Sequence, residues 1–163
     1  MDMRGKICLV TGGTSGVGRA MARGLAKLGA TVVLTSRDAE RANREAEAGR
    51  AWSGNPRVDA LACDLASPAS VRTAAKQFLD AHDRLHVLSH NAAVLLPRRE
   101  TTEDGFERMF ATNVLGPYLL TRLLWERMRE SAPARLLSVG GQPGVFRWAK
   151  LDLDNLQGER RFS

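Results

Sequence analysis

The sequence is poor in the residue types that most often announce chemistry. It has two cysteines, three histidines and one tyrosine in 163 residues. Cys8 and Cys63 both fall inside apolar, strand-like runs. They read as buried reduced thiols of a cytoplasmic protein, with a disulfide as the alternative. His82, His86 and His90 are spread over a helix end and one strand, with no cysteine or carboxylate at ligand spacing, so no metal site is expected. No apolar run approaches the roughly 20 residues that span a bilayer. The N-terminus, Met1 to Lys6, leads straight into a short apolar run without the pattern of an export signal. The net charge is +6. Its arginines nevertheless alternate with acids, as in Arg37-Asp38-Ala39-Glu40-Arg41 and Glu126-Arg127-Met128-Arg129-Glu130. There is no basic block and no aromatic-basic stripe, which argues against a nucleic-acid partner.

What is present is an alternation of two periods. Lys6–Thr11, Thr31–Thr35, Arg57–Ala62, Leu85–His90 and Ala134–Val139 read as buried strands. Helical spacing fills the gaps. Val17–Leu28 places Val17, Met21, Leu25 and Leu28 on one face, and Asp38–Gly49 is rich in Ala, Glu and Arg. Pro68–Ala81 follows a capping Ser67. Thr102–Glu130 is long, with Phe106, Met109, Phe110, Asn113 and Leu120 near one stripe and a bend expected at Pro117. Strand–helix alternation implies an α/β fold: a doubly wound, Rossmann-type parallel sheet with helices on both faces and ligands outside the strands' carboxyl ends.

The strongest motif lies between the first strand and the first helix: Thr11-Gly12-Gly13-Thr14-Ser15-Gly16-Val17-Gly18. A phosphate needs bare backbone N–H groups at a helix N-terminus. Gly12 suits the tight turn, Gly16 removes a Cβ beside a pyrophosphate, and Gly18 brings helix and strand together. Thr14 and Ser15 add hydroxyl donors, and Val17 opens the helix. The alternative is a plain glycine-rich turn.

This glycine pattern resembles the cofactor signature of the short-chain dehydrogenases/reductases, and further motifs follow in the family's order. Asp64-Leu65 resembles the family's adenine contact. Asn91-Ala92-Ala93 resembles its Asn-Asn-Ala-Gly motif, with His90 for the first Asn and Ala93 for the Gly. Asn113, within Thr112-Asn113-Val114-Leu115-Gly116, resembles the helix Asn of the Asn-Ser-Tyr-Lys set. Leu151 to Arg160 is similar to the retinol-dehydrogenase-like and WW-domain-oxidoreductase-like branch. The resemblance implies hydride transfer between a nicotinamide and a small-molecule alcohol or carbonyl substrate, with residues 1–163 forming one dinucleotide-binding domain, truncated after about five strands.

The pattern breaks at the acid/base. The family uses Tyr-x-x-x-Lys, which these residues do not contain. Tyr118 has no lysine four residues on and reads as a core aromatic. The family's catalytic Ser falls on Gly141, and Ser138 lies three residues earlier, where it is expected to face a helix. A one-turn slip would rescue Ser138 at the cost of the strand's alternation. Two readings stay open: a piece of an oxidoreductase, or a non-catalytic NADP(H)-binding or scaffolding relative.

Cofactor choice rests on the end of the second strand, Thr35-Ser36-Arg37. An acid there would accept from a ribose 2′-OH; Arg37 instead pairs with a 2′-phosphate and Ser36 donates to it. This favours NADP(H) over NAD(H). Against it, Arg37 could simply start the next helix, with Asp38 accepting from a ribose. The fifth strand, with Leu136, Leu137 and Val139, lacks an outer neighbour. So does the long helix carrying Phe110, Val114, Leu119 and Leu123. Self-association, or a partner completing the sheet, is therefore expected.

Overall fold

A computed structural model describes residues 2–141 and 152–162. Five apolar runs become β1 (Ile7–Val10), β2 (Thr31–Ser36), β3 (Val58–Ala62), β4 (Val87–His90) and β5 (Arg135–Ser138). They form one sheet in the order β3-β2-β1-β4-β5, every pair parallel. β1 sits in the middle, and the chain winds outward from it in both directions, as expected for the doubly wound class.

Strand side chains alternate between faces, so one sheet feeds two cores. Leu9, Val33 and Leu88 join Val71, Phe78, Leu120 and Leu124 on one side. Cys8, Val10, Val32 and Leu34 join Ala22, Ala26, Ala42 and Ala46 on the other. The first core is covered by α3 (Pro68–Ala81) and α5 (Gly116–Glu130), the second by α1 (Gly16–Lys27) and α2 (Ala39–Ser53). Both cysteines are buried and unpaired, so the thiol reading holds; burial pushes each up to about 12.

Helix starts follow the sequence. Ser67 accepts from Ser70 N at 3.3 Å to begin α3, and Asp38 accepts from Arg41 N at 3.0 Å to begin α2. α2 runs past the expected Gly49 and stops at Gly54, whose φ of 68° is the left-handed conformation a C-terminal glycine supplies. The buried stripe of α1 is not Val17-Met21-Leu25-Leu28. It is Gly18-Ala22-Ala26, with Met21 and Leu25 flanking it, while Val17 is 61% exposed. Small residues let this helix lie close to the sheet, which large ones would hold away.

At the far end of α1, Asn55 is buried in the α2–β3 turn. Its side-chain amide donates to Ala26 O at 2.9 Å and Ala30 O at 2.8 Å, and its Oδ1 accepts from Arg57 N at 3.0 Å. The carbonyl groups leaving α1 are thus tied to the next layer.

The expected long helix from Thr102 is shorter and interrupted. Thr102 and Phe106 close a turn, and the Glu107 carboxylate accepts from Met109 N at 2.8 Å and Phe110 N at 2.6 Å. α4 (Arg108–Phe110) starts there, a π-helical turn spans Ala111–Leu115, and α5 follows. Pro117 has no N–H for the carbonyl of Asn113, so regular α bonding cannot run through this point; the chain widens into the π turn just before it. β5 occupies the sheet edge, with Leu136 44%, Leu137 40% and Val139 39% exposed. Among the described residues, no helix is long and apolar enough to cross a membrane.

Candidate cofactor and active site

Because all five strands run the same way, their C-terminal ends share one edge of the sheet. A cavity of about 780 Å³ lies across that edge. It receives residues from the loop after every strand, so the topology gathers sites that are far apart in sequence.

The first loop supplies the glycine turn. Gly12 and Gly16 adopt φ of 65° and 51°. A Cβ on Gly12 would stand 2.9 Å from the Ala92 backbone, whereas one on Gly16 would meet nothing within 4 Å. Gly16 therefore keeps open space open. Gly18 is the opposite case: a Cβ there would collide with the Asn91 side chain and the Gly12 carbonyl. Gly13, which the sequence reading passed over, is equally constrained, with Leu34 Cβ at 2.5 Å. Ser15 is the N-cap of α1, yet its side chain makes no capping bond, and the first turn holds no acid. The N–H groups at this helix start are open to an anion.

Gly12, Ser15, Gly16 and Val17 line the cavity. Thr14 and Gly18 do not. Thr14 is 8% exposed. Thr11 is the hydroxyl the sequence reading missed. Its buried Oγ1 donates to Ser89 O at 3.3 Å and accepts from Asn91 N at 3.0 Å and Ala92 N at 3.2 Å. Asn91 returns the tie, donating to Thr11 O at 3.2 Å and Gly12 O at 3.4 Å. The loop after β4 is thereby bolted to the glycine turn.

Ser36 and Arg37 line the cavity after β2. Asp38 does not: Oδ1 caps α2, and its N–H donates to Ser36 Oγ at 3.2 Å. Ser36 still has its own hydroxyl proton to give. After β3, Asp64 accepts from Ala66 N at 2.9 Å, and Leu65 is buried beside it. Both line the wall, as do Asn91 and Ala92 after β4.

Asn113 reaches the cavity from the π turn. Its side chain accepts from Val94 N at 2.9 Å and donates to Val94 O at 2.8 Å, pairing with the loop as a strand would. Arg108, which the sequence reading did not single out, also lines the wall. It stands one and two turns before Thr112 and Gly116, and a Cβ on Gly116 would collide with Leu65. That spacing was the available signal. Arg108 Nε lies 2.9 Å from Glu100 Oε2 without the alignment of a hydrogen bond.

Ser138 and Gly141 both line the cavity, with Val139 and Gly140 between them. Tyr118 does not belong here. It is 66% exposed and borders a separate hollow of about 210 Å³ with Phe106, Leu115 and Leu119. Its expected place in the core is corrected: the inward face of α5 is taken by Gly116, Leu120, Leu124 and Met128.

The fold agrees with the comparisons. Residues 6–152 match the short chain dehydrogenase family. Retinol dehydrogenase 11 of Mus musculus is 39% identical over 166 residues, covering 100% of this chain and 51% of that protein. The Pseudomonas aeruginosa RhlG/NADP active-site complex superposes with a TM-score of 0.78 at 29% identity, covering 96% of this chain and 62% of that one. A metagenomic short-chain oxidoreductase in complex with NADP gives 0.76 at 31% identity, covering 87% and 65%. The chain belongs to the short-chain dehydrogenase family, a family of oxidoreductases, in its retinol-dehydrogenase-like branch. It spans about half the length of the curated relatives it matches.

Proposed function

We propose that the protein is an NADP(H)-dependent oxidoreductase acting on an alcohol or carbonyl compound. The residues fit the cofactor. An uncapped helix start with open space over Gly16 suits a pyrophosphate, and the Asp64–Leu65 wall suits an adenine. When bound, the nicotinamide supplies or takes the hydride. This chain's residues bind and orient: Ser15, Gly16 and Val17 at the phosphates, Asn91 and Asn113 fixing the loops that bound the cavity.

One observation carries the choice of NADP(H). At the end of β2 the acid, Asp38, caps α2 and does not line the cavity, while Arg37 lines it and is exposed and Ser36 keeps a donor. Titration with NADPH and NADH tests it, and equal affinity overturns it. A second reading, a non-catalytic NADP(H)-binding relative, is favoured by Gly141 standing where the family's hydroxyl falls. Saturable NADPH binding without turnover in a chain carrying Tyr-x-x-x-Lys supports that reading.

A further inference from the structure

His90 is 8% exposed, and its two ring nitrogens differ. Nε2 lies 2.7 Å from Thr121 Oγ1. Thr121 has one hydroxyl proton, which it donates to Pro117 O at 2.9 Å. Toward His90 it can only accept, so Nε2 carries the imidazole proton. Nδ1 is left as a lone pair, buried and without a partner. Burial holds the ring neutral, pushing its pKa down to about 4.

The neighbouring strand carries a hydroxyl at the facing position. β4 and β5 pair in register, with His90 opposite Ser138 and Leu88 opposite Leu136. Parallel neighbours lie ~4.8 Å apart and in-register residues point to one face. Leu88 packs toward α3 and α5, so His90 and Ser138 both point to that side. Both line the cavity. Among the described residues, the exposed Ser138 hydroxyl makes no hydrogen bond.

We propose that Ser138 donates its proton to His90 Nδ1 and so faces the cavity as a hydrogen-bond acceptor, making this end of the cavity a site for a ligand hydroxyl. The hydroxyl-site half rests on the oxidoreductase reading. Every donor in the row then has one acceptor: ligand O–H to Ser138, Ser138 to Nδ1, Nε2–H to Thr121, Thr121 to Pro117 O. A ligand carbonyl has no proton to give and is refused the same contact. His90 is a positioning residue, acting through Ser138. The site needs no strand slip, because Ser138 serves from its observed register.

Long-range ¹H–¹⁵N spectra of the histidine-labelled chain test this directly. His86 is an internal standard, since its Nδ1 accepts from Ile7 N at 3.0 Å. The expected result is an Nε2-protonated His90 whose Nδ1 resonance resembles that of His86 and moves to the free-acceptor position in Ser138→Ala. A proton on Nδ1, or an Nδ1 signal indifferent to Ser138→Ala, overturns the pairing. Cyclohexanol should perturb the His90 signals in the wild-type chain and not in Ser138→Ala, and cyclohexanone should leave them unchanged. No response to cyclohexanol, or an equal response to the ketone, overturns the hydroxyl site. NADPH titration of the same sample reads the cofactor proposal separately.

Discussion

Replacing Arg37 tests the cofactor assignment at its narrowest point. A 2′-phosphate carries about −1.5 to −2 charges at neutral pH, and a hydrogen bond to a charged group contributes roughly 1.5–3 kcal/mol. Arg37 is exposed. Solvent screening therefore cuts that figure, and about 1–2 kcal/mol is the expected discrimination, a ~5–30-fold preference for NADPH over NADH. Quenching of the native tryptophans, or calorimetry, gives both dissociation constants. Arg37→Ala should bring the ratio down to the few-fold contribution of Ser36, mainly by weakening NADPH. Asp38→Asn should leave the ratio where it was, because asparagine caps a helix as well as aspartate does. Raising the salt concentration should narrow the wild-type preference, since an exposed pair is screened within a Debye length of about 10 Å at 0.1 M. A wild-type chain indifferent to the 2′-phosphate, or a preference that survives Arg37→Ala intact, refutes the reasoning. So does an Asp38→Asn chain that switches toward NADPH, since that would mean Asp38 was repelling the phosphate.

Two glycines of α1 should respond in opposite directions to alanine. Gly18→Ala, with Asn91 and Gly12 in the way, should lower urea stability by about 2 kcal/mol, and Gly24→Ala, which meets nothing within 4 Å, should raise it by ~0.5–1 kcal/mol; equal midpoints would contradict the packing described. Stability should fall as pH drops from 6.5 toward about 4, because unfolded His90 takes up a proton in that window and folded His90 does not. His90→Asn should remove that part of the slope, and an unchanged slope counts against a desolvated ring. A polypeptide of these 163 residues should show no NADP(H)-linked turnover over a panel of alcohols, aldehydes and ketones, since positioned acid–base catalysis alone contributes ~10²–10⁴-fold; robust turnover would point to another acid. Light scattering should find the same polypeptide self-associated, with weak amide protection over Arg135–Val139; a clean monomer with strong protection there would exclude an open edge.

The layout of strands and helices was legible because β-branched and apolar runs recur between helical stretches, and only a parallel sheet joins such runs with short loops. The glycine turn was legible because its positions obey backbone sterics, which act locally. What failed depended on packing partners. Val17 looked like a core residue by spacing, but its neighbours Gly18, Ala22 and Ala26 are the ones small enough to approach the sheet. Tyr118 looked like a core aromatic, but the inward face of α5 is filled by Gly116, Leu120, Leu124 and Met128. The interrupted helix before α5 could be located at Pro117, but not the π turn one step earlier. Arg108 and Thr11 are ordinary residues in sequence. They acquire a place only when α5 is laid against Leu65 and β4 against β1.

Helix α1 is finished at one end only. Its N-terminus carries an unengaged serine, whereas Ala26 O in its last turn and Ala30 O just beyond it are held by Asn55, ~18 Å away along a helix of 12 residues. In mechanical terms it is a beam held at both ends, by Asn55 at the rear and by Asn91 and Gly12 around Gly18 at the tip, with the leading N–H groups left unengaged. An incoming anion finds the helix dipole already aimed and need not spend its attraction on ordering the backbone. The amide that holds the rear of the helix thus sits apart from the cavity that its other end faces.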